Sequence, residues 1–182
     1  MIEQRELLNE KEIAITINRL SQQLIENHND FKETVIIGVQ PRGTFLSKRI
    51  IAILQLLPFK PDIQNGNIDI SFYRDDLMRR ERPIVPQTMD MNLSIEGKNV
   101  VLVDDVLFTG RSIRSAIDAL MAFGRPNKVE LLTLIDRRFS RDLPIQPNYV
   151  GRIVDAIDSE KVIVEWEEIH GKDRVLMVKS DL

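Results

Sequence analysis

The sequence predicts an α/β domain built on a mainly parallel sheet that is flanked by helices. Short apolar segments of strand length alternate with segments of helical periodicity along the 182-residue chain. Such alternation is typical of parallel sheets whose connections run through helices. In addition, two polar loops, 40–43 and 108–112, each follow an apolar strand and precede a helix. Loops of this kind lie at the carboxyl ends of parallel strands, where α/β proteins bind their ligands.

The first half of the chain predicts two strands and two helices before a long loop. A helix is expected over residues 11–27, where Asn9 and Glu12 have the spacing of an N-terminal capping pair. A strand at Thr34–Val39, a helix to about Leu57 and a strand at 67–72 follow. Residues 74–96 are rich in arginine and aspartate and show little periodicity. A loop of that length within one domain is usually functional or disordered.

The second half contains the central predicted strand, which begins at Gly97 and Lys98, and a helix over 111–123. A strand at Lys128–Ile135 follows. Three shorter strands, expected to be antiparallel, are predicted near the end, at Tyr149–Gly151, Lys161–Trp166 and Arg174–Lys179. No internal repeat divides the chain, so residues 1–182 are expected to form a single domain.

Composition excludes several classes of protein. The 43% hydrophobic content argues against disorder, and no apolar run approaches the roughly 18 residues of a membrane span. The chain has no cysteine and no basic-then-apolar leader at residues 1–6. Both features favour a cytoplasmic protein without a membrane partner. Since the net charge is −3, any RNA binding must rest on a local basic patch.

Residues 100–112 carry the chemistry that the sequence predicts. An apolar strand ends at two adjacent carboxylates, Asp104 and Asp105, and the loop to the next helix contains Thr109, Gly110 and Ser112. Free N–H groups at a helix N-terminus bind phosphate, and carboxylates accept hydrogen bonds from sugar hydroxyls. The segment therefore suits a phosphorylated sugar, although an Asp-Asp pair also serves simply as a turn and helix cap.

Two further loops are expected at the same edge. Arg42 in the turn 40–43 suits a pyrophosphate, and the arginine-rich segment 74–82 is a candidate lid. A surface charge and a solvated loop are the ordinary alternatives. His28 and His170 lack partners at ligand spacing and are predicted to be surface residues, whereas Trp166 is predicted to pack in the core.

At residues 100–112 the chain resembles the phosphoribosyl-pyrophosphate (PRPP) motif of type I phosphoribosyltransferases. Further segments resemble one family within that group, the PyrR family, and the similarity extends from about residue 11 to 180. These segments are 68–77 (Ile-Asp-Ile-Ser-Phe-Tyr-Arg-Asp-Asp-Leu), 104–111, 124–126 (Gly-Arg-Pro), 135–137 (Ile-Asp-Arg) and 142–145 (Asp-Leu-Pro-Ile). Members of the family regulate pyrimidine operons by attenuation and also have uracil phosphoribosyltransferase activity.

The resemblance implies the type I phosphoribosyltransferase fold, with a small C-terminal hood and a flexible loop. It also implies that uracil and PRPP give UMP and pyrophosphate with Mg²⁺. Asp104 and Asp105 would hold the ribose hydroxyls, directly or through metal-bound water, and Arg74 would stabilise the leaving group. The pyrophosphate would be enclosed by the 74–96 loop with Gln40, Pro41, Arg42 and Gly43. The 5′-phosphate loop would consist of Val106, Leu107, Phe108, Thr109, Gly110, Arg111 and Ser112.

The identity of the base depends on Phe108. Purine enzymes of this group typically carry an acid at this position, and an aromatic ring cannot take a proton. A pyrimidine is therefore favoured. The base is expected near Asp136, Arg137 and Val162, although Asp136 also suits a strand-terminating turn.

The resemblance further implies a dimer or higher homo-oligomer that binds pyrimidine operon mRNA when UMP or UTP is bound. Arg19, Arg141 and Arg152 are the candidate RNA contacts. The chain departs from the family pattern at Asn18, Gln22 and Gln146, and its segment 138–141 is one residue longer and lacks histidine. Two alternatives therefore stay open, a phosphoribosyltransferase without RNA function and a nucleotide sensor with a vestigial catalytic site.

Overall fold

The central layer of the protein is a five-stranded parallel sheet, seen in a computed structural model that describes residues 4–71, 73, 93–157 and 159–179. The strands lie in the order β3-β2-β4-β5-β6 and are all parallel to their neighbours. Their bounds are β2 Thr34–Val39, β3 Gln64–Ile68, β4 Asn99–Leu107, β5 Lys128–Arg138 and β6 Tyr149–Asp155. The predicted α/β class is thereby confirmed.

Helices cover both faces of this sheet. Helices α1 Glu10–His28 and α2 Gly43–Leu54 lie on one face and α3 Arg111–Leu120 on the other, whereas the short helix α4 Glu167–His170 is exposed. Val101 and Val103 of β4 belong to the core cluster that includes α1 and α2, whereas Val100 and Leu102 belong to the cluster that includes α3. Because successive side chains of a strand point to opposite faces, a strand buried on both sides is a continuous apolar run.

Helix α1 begins where the sequence predicts. The Asn9 side chain accepts a hydrogen bond from Glu12 N at 3.0 Å, and the Glu12 carboxylate accepts one from Asn9 N at 2.9 Å. This reciprocal pair satisfies N–H groups that a helix start otherwise leaves without partners. None of the helices in the described ranges has the length and apolarity that crossing a membrane requires.

A second, antiparallel sheet forms the hood. It has three strands, β1 Gln4–Leu8, β8 Arg174–Lys179 and β7 Glu160–Glu165, in the order β1-β8-β7. The antiparallel pair β7 and β8 is confirmed. Strand β1 was not predicted, and its presence means that the hood is built from both ends of the described chain.

The structure departs from the sequence predictions in the position of one strand and in the direction of another. The strand expected at 67–72 lies at Gln64–Ile68, because its register is set by pairing with β2, from Val35 opposite Gln64 to Val39 opposite Ile68. The prediction that the strand at Tyr149–Gly151 is antiparallel was wrong, since β6 pairs parallel to β5. Residues 74–92 of the predicted loop, including Arg74, lie outside the described residues.

The prediction that His28 is a surface residue was wrong. Its side chain is only 5% exposed, and its Nε2 lies 2.9 Å from Glu130 Oε2. Its Nδ1 lies 2.9 Å from Thr34 Oγ1, and the Tyr149 hydroxyl donates to Glu130 Oε2 at 3.2 Å. Four elements that are distant in sequence, α1, β2, β5 and β6, therefore meet in one polar network.

Burial controls the protonation of this network. Burial lowers the pKa of His28 below its ordinary value, and the nearby Glu130 carboxylate only partly opposes the effect. Burial, followed by the charge of Glu130, raises the pKa of Tyr149 to about 12, so its hydroxyl stays a donor at neutral pH. The His28 imidazole is therefore neutral in the folded protein at neutral pH and becomes protonated only in acid.

We predict that the melting temperature falls as the pH falls below about 6.5, the ordinary pKa of histidine in an unfolded chain. A lowered pKa in the folded state means that the unfolded state binds more protons in this range. His28 then removes stability by up to about 1.4 kcal/mol per pH unit. Thermal melts of His28→Gln between pH 7.5 and 5.5 should show a flatter dependence than the wild type. His170→Gln, at an exposed histidine, is the matched control, and equal slopes for wild type and His28→Gln would contradict the prediction.

Candidate active site

A turn at residues 109–112 joins β4 to α3; we call it the phosphate turn, after the ligand that the sequence predicts for it. Gly110 stands at the N-cap of α3 with φ of 90° and has no side chain of its own to cap the helix, while Thr109 Oγ1 lies 3.4 Å from Arg111 N. A left-handed backbone favours glycine, and a Cβ at this position would also lie 3.3 Å from Ile145 Cδ1. The positive end of the α3 dipole therefore lies beside this turn, where it favours an anion.

A cleft of about 240 Å³ opens at this turn. It is lined by Asp104 and residues 106–113. The structure thereby brings together every residue of the predicted 5′-phosphate loop and one of the two predicted carboxylates. A carboxylate beside an anion-binding turn is the arrangement that a sugar phosphate requires, with hydroxyls at one end and phosphate at the other.

The second carboxylate, Asp105, has a different environment. The residue is 7% exposed, and its Oδ1 accepts a hydrogen bond from Val106 N at 2.8 Å. Its Oδ2 lies 3.9 Å from Arg42 Nη1 and is buried without a hydrogen-bond partner among the described residues. Burial raises the pKa of Asp105, and the charge of Arg42 opposes that rise. A buried carboxylate oxygen without a hydrogen bond is costly, which points to a ligand donor or cation at this position.

The turn 40–43 lies directly beside β4. Gly43 at the start of α2 packs so closely on the carbonyl of Val103 that a Cβ would overlap it. The turn is held by a hydrogen bond from Gln40 N to Ile68 O at 3.0 Å and by one from Thr44 Oγ1 to Pro41 O at 2.7 Å. The Gln40–Pro41 peptide bond is cis. The two predicted ligand loops therefore meet at the carboxyl edge of the sheet, where Arg42 faces Asp105.

Arg141 was predicted to contact RNA, but its guanidinium makes its contacts within the protein. Its guanidinium donates hydrogen bonds to the carbonyl oxygens of Leu107, Phe108, Arg137 and Ile145. It also pairs with the Asp136 carboxylate. The structure therefore uses Arg141 to hold the end of β4 against the segment that follows β5. The long side chain lies inward because it can satisfy several carbonyls at once.

The segment after β5 closes the phosphate turn from outside, a role that the sequence did not reveal. Thr109 O accepts hydrogen bonds from Asp142 N at 3.0 Å and Leu143 N at 3.2 Å. Arg111 Nε donates to Asp142 Oδ2 at 2.9 Å. In the sequence, residues 142–145 stand out only through the family resemblance, and no local pattern marks them as neighbours of residue 109.

The three residues predicted to bind the base are not equivalent. Asp136 is engaged by Arg141, as its alternative role at the end of a strand implied. The Arg137 guanidinium lies over the Phe108 ring, 3.9 Å from its centroid, so it reaches the phosphate loop. Val162 lies on β7 of the hood, which contacts β4. Of the three, Arg137 contacts a residue that lines the cleft, Phe108.

The remaining candidate RNA contacts, Arg19 and Arg152, also donate to backbone carbonyls. Arg19 Nη2 donates to Val150 O at 3.1 Å and to Gly151 O at 2.5 Å. Arg152 Nη1 donates to Leu7 O at 2.6 Å. Both residues are nevertheless exposed, at or near the edge strand β6. Each side chain therefore fixes an element and leaves part of its guanidinium at the surface.

Known proteins are similar to this chain in fold and in sequence. The family model of the phosphoribosyl transferase domain matches residues 3–168. A hypoxanthine phosphoribosyltransferase of Staphylococcus aureus superposes with a TM-score of 0.70 at 21% identity, covering 97% of this chain and 91% of that one. The hypoxanthine phosphoribosyltransferase of Trypanosoma cruzi gives 0.72 at 18% identity, with 97% of each chain covered. Identities this low show the fold alone.

Sequence relatives are closer than the structural ones. The bifunctional protein PyrR of Enterococcus faecalis is 41% identical over 165 residues, 91% of each chain. That of Synechocystis is 40% identical over 175 residues, 96% of this chain and 97% of the relative. A pyrimidine operon regulatory protein of Lactococcus lactis is 38% identical over 177 residues, 97% and 98% of the two chains.

A parallel sheet flanked by helices, with a polar turn after its central strand and a three-stranded hood, is the fold of the type I phosphoribosyltransferases. Within that class, the family is identified by sequence identities of 38–41% that extend over 91–97% of this chain. The chain belongs to the PyrR family.

We predict that Arg141→Gln loosens the phosphate turn. The change removes several hydrogen bonds to backbone carbonyls and a partner of Asp136, which together cost about 3 kcal/mol. The melting temperature should fall by about 6–12 °C for a domain of this size, and PRPP affinity measured by calorimetry should weaken about tenfold.

Arg138→Gln is the control for this prediction. It removes a neighbouring guanidinium whose partner is the exposed Asp155 carboxylate, so its cost is small. If the two variants had equal melting temperatures and PRPP affinities, Arg141 would not hold the turn.

Proposed function

We propose that the chain transfers the phosphoribosyl group of PRPP to uracil, giving UMP and pyrophosphate, and binds pyrimidine operon mRNA in response to UMP or UTP. The observation that carries the catalytic half is the cleft at the β4–α3 junction, with Asp104 at its wall. Its relatives named bifunctional protein PyrR support both halves.

The 5′-phosphate is assigned to the turn at Thr109–Ser112. There the positive end of the α3 dipole favours an anion, and the hydroxyls of Thr109 and Ser112 are candidate donors. The ribose hydroxyls are assigned to Asp104 and Asp105. A hydroxyl donor would satisfy the buried Asp105 Oδ2, for which no hydrogen-bond partner is found among the described residues.

Bond breaking at the anomeric carbon leaves positive character on the ribose and negative charge on the departing pyrophosphate. Asp104 and Asp105 are proposed to stabilise the first, and the Arg42 guanidinium with the backbone N–H groups of Arg42 and Gly43 the second. Arg74 is proposed to assist the leaving group as well, although it lies outside the described residues.

The two carboxylates also fit Mg²⁺. This cation prefers oxygen ligands and is usually bound by one or two carboxylates together with water and substrate phosphates. Asp105 has a buried oxygen free of hydrogen bonds within the described part of the chain, and Asp104 lines the phosphate cleft, so both are proposed to hold Mg²⁺ through water. The ion would neutralise charge on the pyrophosphate.

A pyrimidine is the proposed acceptor. Phe108 is 41% exposed beside the cleft, and its ring has no group that can accept a proton. Arg137, stacked on that ring, and Val162 of the hood are the proposed neighbours of the base. Asp136 is not retained as a base contact, because Arg141 already pairs with its carboxylate.

We predict turnover of PRPP with uracil and little with hypoxanthine or guanine, measured as pyrophosphate release. Asp104→Asn and Asp105→Asn should each lower kcat/KM about 100-fold or more, because a charge that stabilises the transition state is lost. Asp118→Asn is the matched control, since Asp118 pairs with Arg114 on the exposed side of α3.

Unchanged rates in both active-site variants would contradict the ribose assignment. Absence of turnover with every base, together with tight UMP binding, would favour the alternative of a sensor with vestigial catalysis.

The RNA half of the proposal rests on the relatives and on exposed cations. One relative is named a pyrimidine operon regulatory protein. Arg19 and Arg152 remain exposed and are the proposed phosphate contacts, whereas the guanidinium of Arg141 is used inside the protein. We also propose that the protein assembles as a homodimer or a larger homo-oligomer, which light scattering can measure.

We predict that filter binding to a pyrimidine operon leader RNA strengthens with UMP and weakens with salt. Replacing both Arg19 and Arg152 by glutamine should weaken binding and reduce the slope of log K against log salt by about 1.5, since each phosphate contact contributes about 0.7–0.9. Arg114→Gln is the control, because it removes a cation from the exposed side of α3. Absent or salt-insensitive binding would favour a phosphoribosyltransferase without RNA function.

A further inference from the structure

A cluster outside the cleft joins the hood to the main domain through Arg49 of α2. Its Nη2 donates to Asp173 Oδ1 and to Glu168 Oε2, both at 2.9 Å, and its Nε donates to Glu168 Oε1 at 3.3 Å. The guanidinium also lies over the Trp166 ring, 4.7 Å from its centroid. All three partners belong to the connection between β7 and β8. We call Arg49, Trp166, Glu168 and Asp173 the hood clamp.

The partners of Arg49 are themselves held in place. Asp173 Oδ1 accepts a second hydrogen bond from Glu167 N at 2.8 Å, and the Asp173 side chain is only 10% exposed. Partial burial tends to raise the pKa of Asp173, but the hydrogen bonds from Arg49 and Glu167 N outweigh it and lower that pKa below its ordinary value. The ion pair therefore persists throughout the neutral range.

Trp166 connects the clamp to the core. The residue is fully buried, and its ring packs near Phe45 of α2 with centroids 6.5 Å apart. It directly follows β7, on which Val164 is also fully buried. The clamp thus fixes the carboxyl end of β7 on α2 by packing, by a cation over an aromatic face and by a forked ion pair.

The clamp lies between two parts of the proposed site. Helix α2 begins at the 40–43 turn, and Arg49 is about two helical turns further on, roughly 10 Å along the axis. Strand β7 carries Val162, a proposed neighbour of the base. A rigid link between the two elements therefore sets the distance from the base side of the hood to the pyrophosphate side of the sheet.

We propose that Arg49 is a positioning residue that places β7 of the hood for binding of the uracil base. The proposal rests on the proposed uracil phosphoribosyltransferase function and goes beyond it, because Arg49 does not line the anion-binding cleft. An isolated exposed ion pair contributes little to stability, but this pair is mostly buried, is forked and stacks on a buried ring. Its loss should misplace the base site more than it unfolds the protein.

The test compares Arg49→Met and Asp173→Asn with wild type, well below their melting temperatures. Methionine keeps the packing on Trp166 and removes the charge. Both variants should raise the KM for uracil roughly tenfold and leave the KM for PRPP within about twofold, since misplacement of one substrate site affects that substrate. Hydrogen exchange in residues 160–179 should become faster. Arg49→Lys, which keeps a charge but loses the fork, should fall between Arg49→Met and wild type.

Lys48→Met is the matched control, because it removes an exposed charge from the same helix. Equal increases in both KM values, or a loss of kcat that follows only the folded fraction, would show a merely structural role and overturn the proposal. If wild type itself does not turn over uracil, the proposed function fails. The clamp is then judged by hydrogen exchange and UMP affinity, and unchanged values of both in Arg49→Met would overturn it.

Discussion

The parallel pairing of β4 with β2 on one side and β5 on the other is the constraint on which the rest of the molecule depends. Side chains of β4 are buried on both faces, so the strand cannot shift by one residue without moving a carboxylate into the core. Because the three strands run in the same direction, their carboxyl ends share one edge. That edge is where Arg42 lies beside Asp105 and where Arg137 stacks on Phe108.

Arginine has an unusually structural role in this protein. Arg141 joins four backbone carbonyls at the phosphate turn, and Arg49 joins α2 to the hood. Arg19 and Arg152 fix strands β6 and β1 by similar bonds. A planar guanidinium with five N–H groups can satisfy several acceptors that belong to different elements. The same residue type suits both a phosphate and a backbone carbonyl, so its presence in a sequence does not distinguish the two.

The candidate site contains a buried carboxylate oxygen without a hydrogen bond among the described residues, which an ordinary protein core avoids. Asp105 is buried, its pKa is raised by that burial, and one oxygen lacks a hydrogen bond within the described ranges. By contrast, the buried network of His28, Glu130 and Tyr149 at the opposite ends of the strands is internally satisfied. Satisfied buried groups hold elements together, whereas a buried group left without a partner is typical of a ligand site.

Local patterns determined much of this protein. The apolar run into Asp104, the Asn9 cap and the helix after Gly110 each depend on neighbours within a few residues, and each is found where it was predicted. The tertiary structure alone decided the direction of β6, the strand β1 of the hood, the burial of His28 and the inward course of Arg141. These features depend on partners that are many residues away. Periodicity reports which side of an element is apolar, but the choice of a distant partner follows from packing and hydrogen bonding of the whole chain.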